Sequence, residues 1–246
     1  RIQIKENSTT RQLEDVFLLK LNTFRNDSTT ISGRYYWENE LDISPASQVQ
    51  LRVGWSQSKS LNQQTNDLII NNANLYWLSS RVKIAARTTA QIDANIGNEL
   101  STSSLLSSRN YHIYTRSVNP GMEINVNRSW RTGWSLGYTE KENRNPINPS
   151  LAQILKVTNT QRAFLWNSIQ VSSSLELRST KVNGNSGAVI NYKLTDGTGK
   201  GSHLIWAVSG TYRISNLVRL NFNYDGRTIN NRPGIHTIKM VISAVF

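Results

Sequence analysis

Residues 217–227, LVRLNFNYDGR, place Val218, Leu220, Phe222 and Tyr224 on one parity and Arg219, Asn221, Asn223 and Asp225 on the other. Successive side chains of a β-strand point to opposite faces, so this stretch is apolar on one side and polar on the other. A helix turns 100° per residue and cannot hold alternate residues on one face. The same pattern recurs along the chain. Leu204, Trp206, Val208, Gly210, Tyr212 and Ile214 oppose His203, Ser209, Thr211 and Arg213. Val82, Ile84, Ala90, Ile92, Ala94 and Ile96 oppose Lys83, Gln91, Asp93 and Asn95. Val49, Leu51, Val53 and Trp55 oppose Gln50, Arg52 and Ser56, and Met122 and Ile124 oppose Glu123 and Asn125.

Clusters of Gly, Asn, Asp, Ser and Pro separate these segments, among them DISPAS, GNELSTSS, KVNGNSG, TDGTGKG and NNRPG. Each is a turn or loop on chemical grounds, and the whole reads as an antiparallel meander of about 12 strands (range about 10–14). One short helix is expected in a long loop at 141–158, where NPSLAQILK offers Asn148 as cap, Pro149 in the first turn, and Leu151, Ile154 and Leu155 on one face. TRQLEDVFLL, residues 10–19, fits a short helix or a first strand equally. Residues 1–15 are set apart as an N-terminal extension or plug-like segment, and 16–246 as a single β-barrel domain. No repeat of fixed length argues for a propeller or solenoid.

Two architectures use strands with one oily and one wet face. A soluble sandwich turns the oily faces inward, whereas a transmembrane barrel turns them outward into lipid. Alternation over 11 to 16 residues exceeds the usual sandwich strand of about 5 or 6. An eleven-residue strand tilted by about 45° rises about 26 Å, close to the apolar band of an outer-membrane barrel. Aromatic residues sit beside turns, as Tyr36, Trp37, Trp55, Trp77, Trp130, Trp134, Trp206 and Tyr212 do, which suits interfacial girdles where a ring is half wet. No run of about 18 apolar residues is present, so a spanning helix is excluded but a spanning strand is not. The polar parity carries long cations: Arg52, Lys83, Arg87, Lys193, Arg219 and Lys239 are expected to face the lumen. They contribute to a formal charge of +12 from 28 Lys and Arg against 16 Asp and Glu.

The ending HTIKMVISAVF places Ile238, Met240, Ile242, Ala244 and the terminal Phe246 on one row. It resembles the C-terminal signal of bacterial outer-membrane β-barrel proteins, with Ala244 where members often carry a larger residue. More loosely, YRISNLVRLNFNYDGR is similar to the final hairpins of large envelope barrels from the Bacteroidota and Chlorobi lineages. The resemblance implies an outer-membrane location, a last strand that closes the barrel, recognition of that row by the barrel assembly machinery, and a bilayer containing lipopolysaccharide as surroundings.

Enzymatic chemistry finds little footing. Cysteine is absent, and His112, His203 and His236 lie in separate segments without metal-ligand spacing, so no metal, cofactor or catalytic set is expected. DGTGKG, residues 196–201, lacks the phosphate-loop spacing and reads as a turn. The cations are spread rather than gathered in a stripe, so no nucleic acid is expected as a partner. Three functions follow in order of fit. The first is a membrane anchor or structural subunit of a larger envelope assembly, with other envelope subunits as partners. The second is a pore whose cationic lumen favours anions, and the third is a soluble β-sandwich that binds glycan or nucleic acid.

Overall fold

The computed structural model describes residues 2–11, 31–64, 67–166, 168–184, 187–230 and 233–244. They form strands β1 (Ile2–Arg11), β2 (Ile31–Ala46), β3 (Val49–Gln64), β4 (Asp67–Ala85), β5 (Thr88–Ser103), β6 (Tyr111–Asn125), β7 (Trp130–Asn143), β8 (Ser150–Leu165), β9 (Ile169–Gly184), β10 (Gly201–Arg213), β11 (Val218–Ile229) and β12 (Ile235–Ala244), with one helix, α1 (Ala188–Leu194), between β9 and β10. A single 3-10 turn spans Ser107–Arg109. All strands join one antiparallel sheet in chain order, from β1 at one edge to β12 at the other. This is an up-and-down all-β meander with a short helix. Ile2–Arg11 of β1 pair with Arg34–Ile43 of β2. The segment 12–30 lies outside the described residues.

The sheet has two unlike ends. Connections at 47–48, 86–87, 126–129, 166–168 and 214–217 are short, while those at 104–110, 144–149 and 185–200 are longer and carry the 3-10 turn and α1. β1 begins and β12 finishes at the short-turn end, since Ile2 pairs with Ile43 and Ala244 with Val218.

The helix expected at 148–156 is not formed. Ser150–Leu165 is instead a strand of 16 residues, paired on both sides, with Asn143 opposite Ser150 on β7 and Gly184 opposite it on β9. Leu151, Ile154 and Leu155 fit either period in so short a window. The ladder decides, because a neighbour on each side satisfies every second backbone group that a lone helix would have to satisfy internally. Pro149, with no N–H to donate, stands just before the strand. Asn148 accepts from Asn143 Nδ2 through its carbonyl at 2.7 Å and so shapes the turn rather than capping a helix. The helix forms 40 residues further on, where AVINYKL follows a Gly-rich stretch and buries Ile190 and Leu194.

The two faces of the sheet are chemically distinct. Following the register across the ladder, the buried strand residues Ser56, Ser79, Ser101, Thr139, Asn143, Thr180 and His203 belong to one face, and Gly226, under the Trp206 ring, is buried on the other. The exposed Val53, Leu78, Ile92, Val118, Leu136, Leu155, Leu175 and Met240 belong to the other. The apolar residues therefore do not meet in a dry centre. Their band starts at the short turns and stops partway up: on β7 it runs from Trp130 to Tyr138, then gives way to Glu140 and Glu142. The neighbours of Glu140 along its rung are Arg116, Gln153 and, beyond, Lys181. Nine residues at about 3.4 Å, tilted by about 45°, rise roughly 22 Å, close to the ~25 Å band of barrel proteins. Above this border the outer face of β7 turns polar, so its oily row does not run the full strand length, while the inner face there carries Tyr111, Ile113, Ala152 and Val182.

The sheet is strongly curled. β4 and β10 are six strands apart, a separation of about 29 Å in a flat sheet, yet Arg81 of β4 and Ala207 and Ser209 of β10 line one cavity. The buried face is the concave one. Against it, at the long-loop end, lies α1, whose Ile190 and Leu194 pack with Tyr111 and Ile113 of β6 and Ala152 of β8, all at most 4% exposed. Val182 of β9 closes the cluster. Leu194→Ala is expected to weaken the seating of α1 by about 2–3 kcal/mol. Hydrogen exchange checks it: amides of 188–194 should exchange faster while the ladder of β6 to β9 keeps its protection.

Candidate functional site on the concave face

A cavity of about 480 Å³ opens on the concave face between β4 and β10. Its walls carry Arg81, Arg131, Arg162, Glu123, Thr160, Ser172, Ser174 and Ser209, with Gly133 and Ala207 leaving room. Parity explains the convergence: each of these positions takes the inward side of its strand, and small residues on β7, β9 and β10 keep the space open. Arg131 and Arg162 are direct cross-strand partners. Arg131 meets Glu123 at 3.2 Å and donates from Nε to Asn125 Oδ1 at 2.9 Å. Neither Arg81 nor Arg162 has an ion-pair or hydrogen-bond partner among the described residues.

The second inward cluster ties α1 to the mouth. Lys193 Nζ donates to Glu99 Oε1 at 2.8 Å, and Tyr111 Oη donates to the same oxygen at 2.6 Å. Lys141 of β7 pairs with Asp196, just past the helix, and also donates to the Lys193 carbonyl at 3.1 Å. His203 Nε2 lies 3.1 Å from the Gly199 carbonyl in the same connection. These groups stand above the apolar band, level with or beyond the polar rung of Glu140. Burial by itself raises the Glu99 carboxyl, but the hydrogen bonds from Lys193 and Tyr111 and the charges of Lys193 and Lys141 outweigh it and hold it below its usual range. Burial lowers Lys193, and the bond and charge of Glu99 more than reverse this, so the ammonium is raised.

Of the cations expected in the lumen, Arg52, Lys83, Arg219 and Lys239 lie on the inward face of β3, β4, β11 and β12, by the register of those strands. Arg87 does not: it sits in the 86–87 turn and its Nη1 donates to the Val126 carbonyl of the next turn at 3.1 Å. Lys193 is on α1 rather than on a strand. Its ammonium still reaches Glu99 on the inward face of β5, whereas parity counted straight through a turn misassigns the face of Arg87, because a turn does not keep the two-residue period.

The expected aromatic girdle is mixed. Trp55 lies beside Trp37 and Tyr76 on the outer face, with ring centroids 5.4 and 6.3 Å away, at the upper border of the band. Trp130 and Tyr212 fall next to short turns at the lower border, and Trp134 and Trp206 lie within the band. Trp206 covers Gly226, where a Cβ would collide with the indole, and stands 5.4 Å from His236. Tyr36 and Trp77 are on the inward face. Tyr36 donates to Glu38 at 2.6 Å, and the Trp77 ring lies over Gly54, which has no side chain to obstruct it. Proximity to a turn says nothing about parity, and these two take the wet side. Ile238, Met240, Ile242 and Ala244 form an exposed outer row on β12, while Phe246 lies outside the described residues.

The residues that matter most in the cavity, Arg81, Arg131 and Arg162, and the mouth pair of Glu99 and Tyr111 share the parity of recognised inward positions, which is a usable signal. Bringing Arg81 of β4 into the same cavity as Arg131 and Arg162 needs the curl. Among the described residues no three His, Asp or Glu side chains come together as a metal set.

No protein-family model matches the chain. No curated protein sequence matches it significantly. Solved structures do resemble it in fold. The NanC porin is 11% identical, with 88% of this chain and 97% of that one covered and a TM-score of 0.42. The translocator domain of the autotransporter NalP from Neisseria meningitidis is 8% identical, with 88% and 82% covered and a TM-score of 0.43. The beta domain of the Bordetella autotransporter Brka is 8% identical, with 90% and 94% covered and a TM-score of 0.46.

The mouth cluster gives α1 a pH window. A carboxyl held below its unfolded value contributes stability at neutral pH that disappears as pH falls through the folded value, and a raised ammonium contributes until pH rises through its own. Amide protection of 188–194 should therefore hold at neutral pH and fall as acid protonates Glu99. In Glu99→Gln the acid-side loss should vanish.

Proposed function

We propose that the chain is a closed β-barrel of the bacterial outer membrane whose polar, arginine-bearing lumen admits small anions. The observation that supports it is the segregation of the sheet: exposed apolar side chains on the convex face, and polar and charged side chains around a cavity on the concave one. Exposed apolar area on this scale needs an apolar solvent. β1 and β12, the edges of the sheet, run in opposite directions, so pairing them closes the barrel with the antiparallel geometry of every other junction. Closure removes the open edges that lipid cannot hydrogen-bond. The outer row Ile238, Met240, Ile242 and Ala244 then serves as the signal strand for the assembly machinery. The long-loop end faces outward, where Arg116 and Lys181 just above the band meet the phosphates of lipopolysaccharide.

A second reading, a structural anchor within a larger envelope assembly, is favoured by α1, which occupies the mouth. Conductance separates the two. Purified protein in planar bilayers should give anion-selective channels, whereas an anchor should give none and should instead co-purify with stoichiometric partners.

Orientation is tested independently. Leu175→Arg places a charge in the middle of the convex band of β9 and should cost about 2–4 kcal/mol in lipid, whereas Thr158→Arg on the concave face should be tolerated. A soluble protein would accept the charge at Leu175, which is 45% exposed, within about 0.5 kcal/mol. Unfolding in bilayers, followed by the shift between folded and heated forms on a gel, reads the difference.

A further inference from the structure

We propose that the cavity between β4 and β10 is a binding site for a small hydroxylated organic anion, its carboxylate or phosphate gripped by Arg131 and Arg162 and faced by Arg81. This rests on the reading of the concave face as a water-filled lumen. Arg131 and Arg162 are directly opposite on neighbouring strands and share one face. Side chains so placed start about 4.5–5.5 Å apart, and like charges there repel. Glu123 answers Arg131 alone, and Arg162 and Arg81 have no acidic partner among the described residues. Cations that line a polar lumen near its short-turn end without acidic partners mark an ion path or a ligand. Two guanidinium forks side by side match the oxygens of one carboxylate or phosphate.

The remaining walls define the rest of the ligand. Thr160, Ser172, Ser174 and Ser209 offer hydroxyls that both donate and accept, which suits a polyhydroxylated body. Among the described residues no aromatic ring lines the cavity, and its 480 Å³ lies within the range of small-molecule sites. Glu123 repels a second anionic end and accepts from a hydroxyl there instead. A solute with one charged end and a hydroxylated body fits better than a dianion charged at both ends.

Calorimetric titration of the detergent-folded full chain with gluconate and with glucose 6-phosphate tests the site, with glucose as the neutral control. Saturable, salt-sensitive binding of either anion and none of glucose is expected; which of them binds names the anionic group. Arg162→Ala and Arg131→Ala should each weaken binding at least tenfold, Arg162→Lys should recover part of it, and Arg109→Ala, in the 3-10 turn, should match the parent. Heat-modifiable migration of each variant reports whether the barrel is folded. A heat-modifiable barrel that binds neither anion, binds glucose equally, or keeps its affinity in both alanine variants overturns the site and leaves the barrel standing. A chain that is not heat-modifiable overturns the barrel reading itself.

Discussion

The antiparallel hydrogen-bond ladder is the constraint on which the rest depends. It runs without a crossover from β1 to β12, and each strand takes its partners from its neighbours in sequence. In lipid an unpaired backbone group costs several kcal/mol, and a continuous ladder is one of two ways to avoid that cost. The ladder also fixes parity. A slip of one residue in any strand would turn its oily row inward and its cations outward, so register and chemistry are specified together.

Parity then determines what the interior can be. Small residues at Gly133, Ala207, Ser172, Ser174 and Ser209 give the concave face space that large side chains would fill. Into that space project the paired Arg131 and Arg162 of β7 and β8 and, from β4, Arg81, which in a flat sheet would lie about 14 Å from β7. Curvature turns residues scattered over 80 positions of sequence into one charged wall. The excess of guanidinium over carboxylate there is the local form of the chain's overall positive charge.

At the long-loop end, polar rungs lift the strands above the apolar band and make room for α1 to fold back against the inward face. Its seating combines a small dry cluster around Ile190 and Leu194 with a charged cluster around Glu99 and Lys193. The apolar contacts hold the helix in place, and the ion pair makes that hold sensitive to acid. A mouth element of seven residues with one dry contact patch is among the less stable parts of such a fold, as movable elements generally are.

Alternation made the strand class legible, because it is a local property of neighbouring residues; turn chemistry placed TDGTGKG between α1 and β10, but DISPAS and GNELSTSS, expected as loops, are strand up to Ala46 and Ser103, because the ladder pairs them. LVRLNFNYDGR could be read as a two-faced strand without any knowledge of its partners, and β11 is that strand. NPSLAQILK could not be decided, since Leu151, Ile154 and Leu155 satisfy two periods and only pairing with β7 and β9 selects one. Tyr36 and Trp77 were misplaced because nearness to a turn does not fix a face. Sequence by itself determined that each segment has an oily side and a wet side. Tertiary structure alone decided that the oily sides look outward and that Arg81 lines one cavity with Arg131 and Arg162, because both depend on the direction of curl, a property of the whole ladder that no single strand encodes.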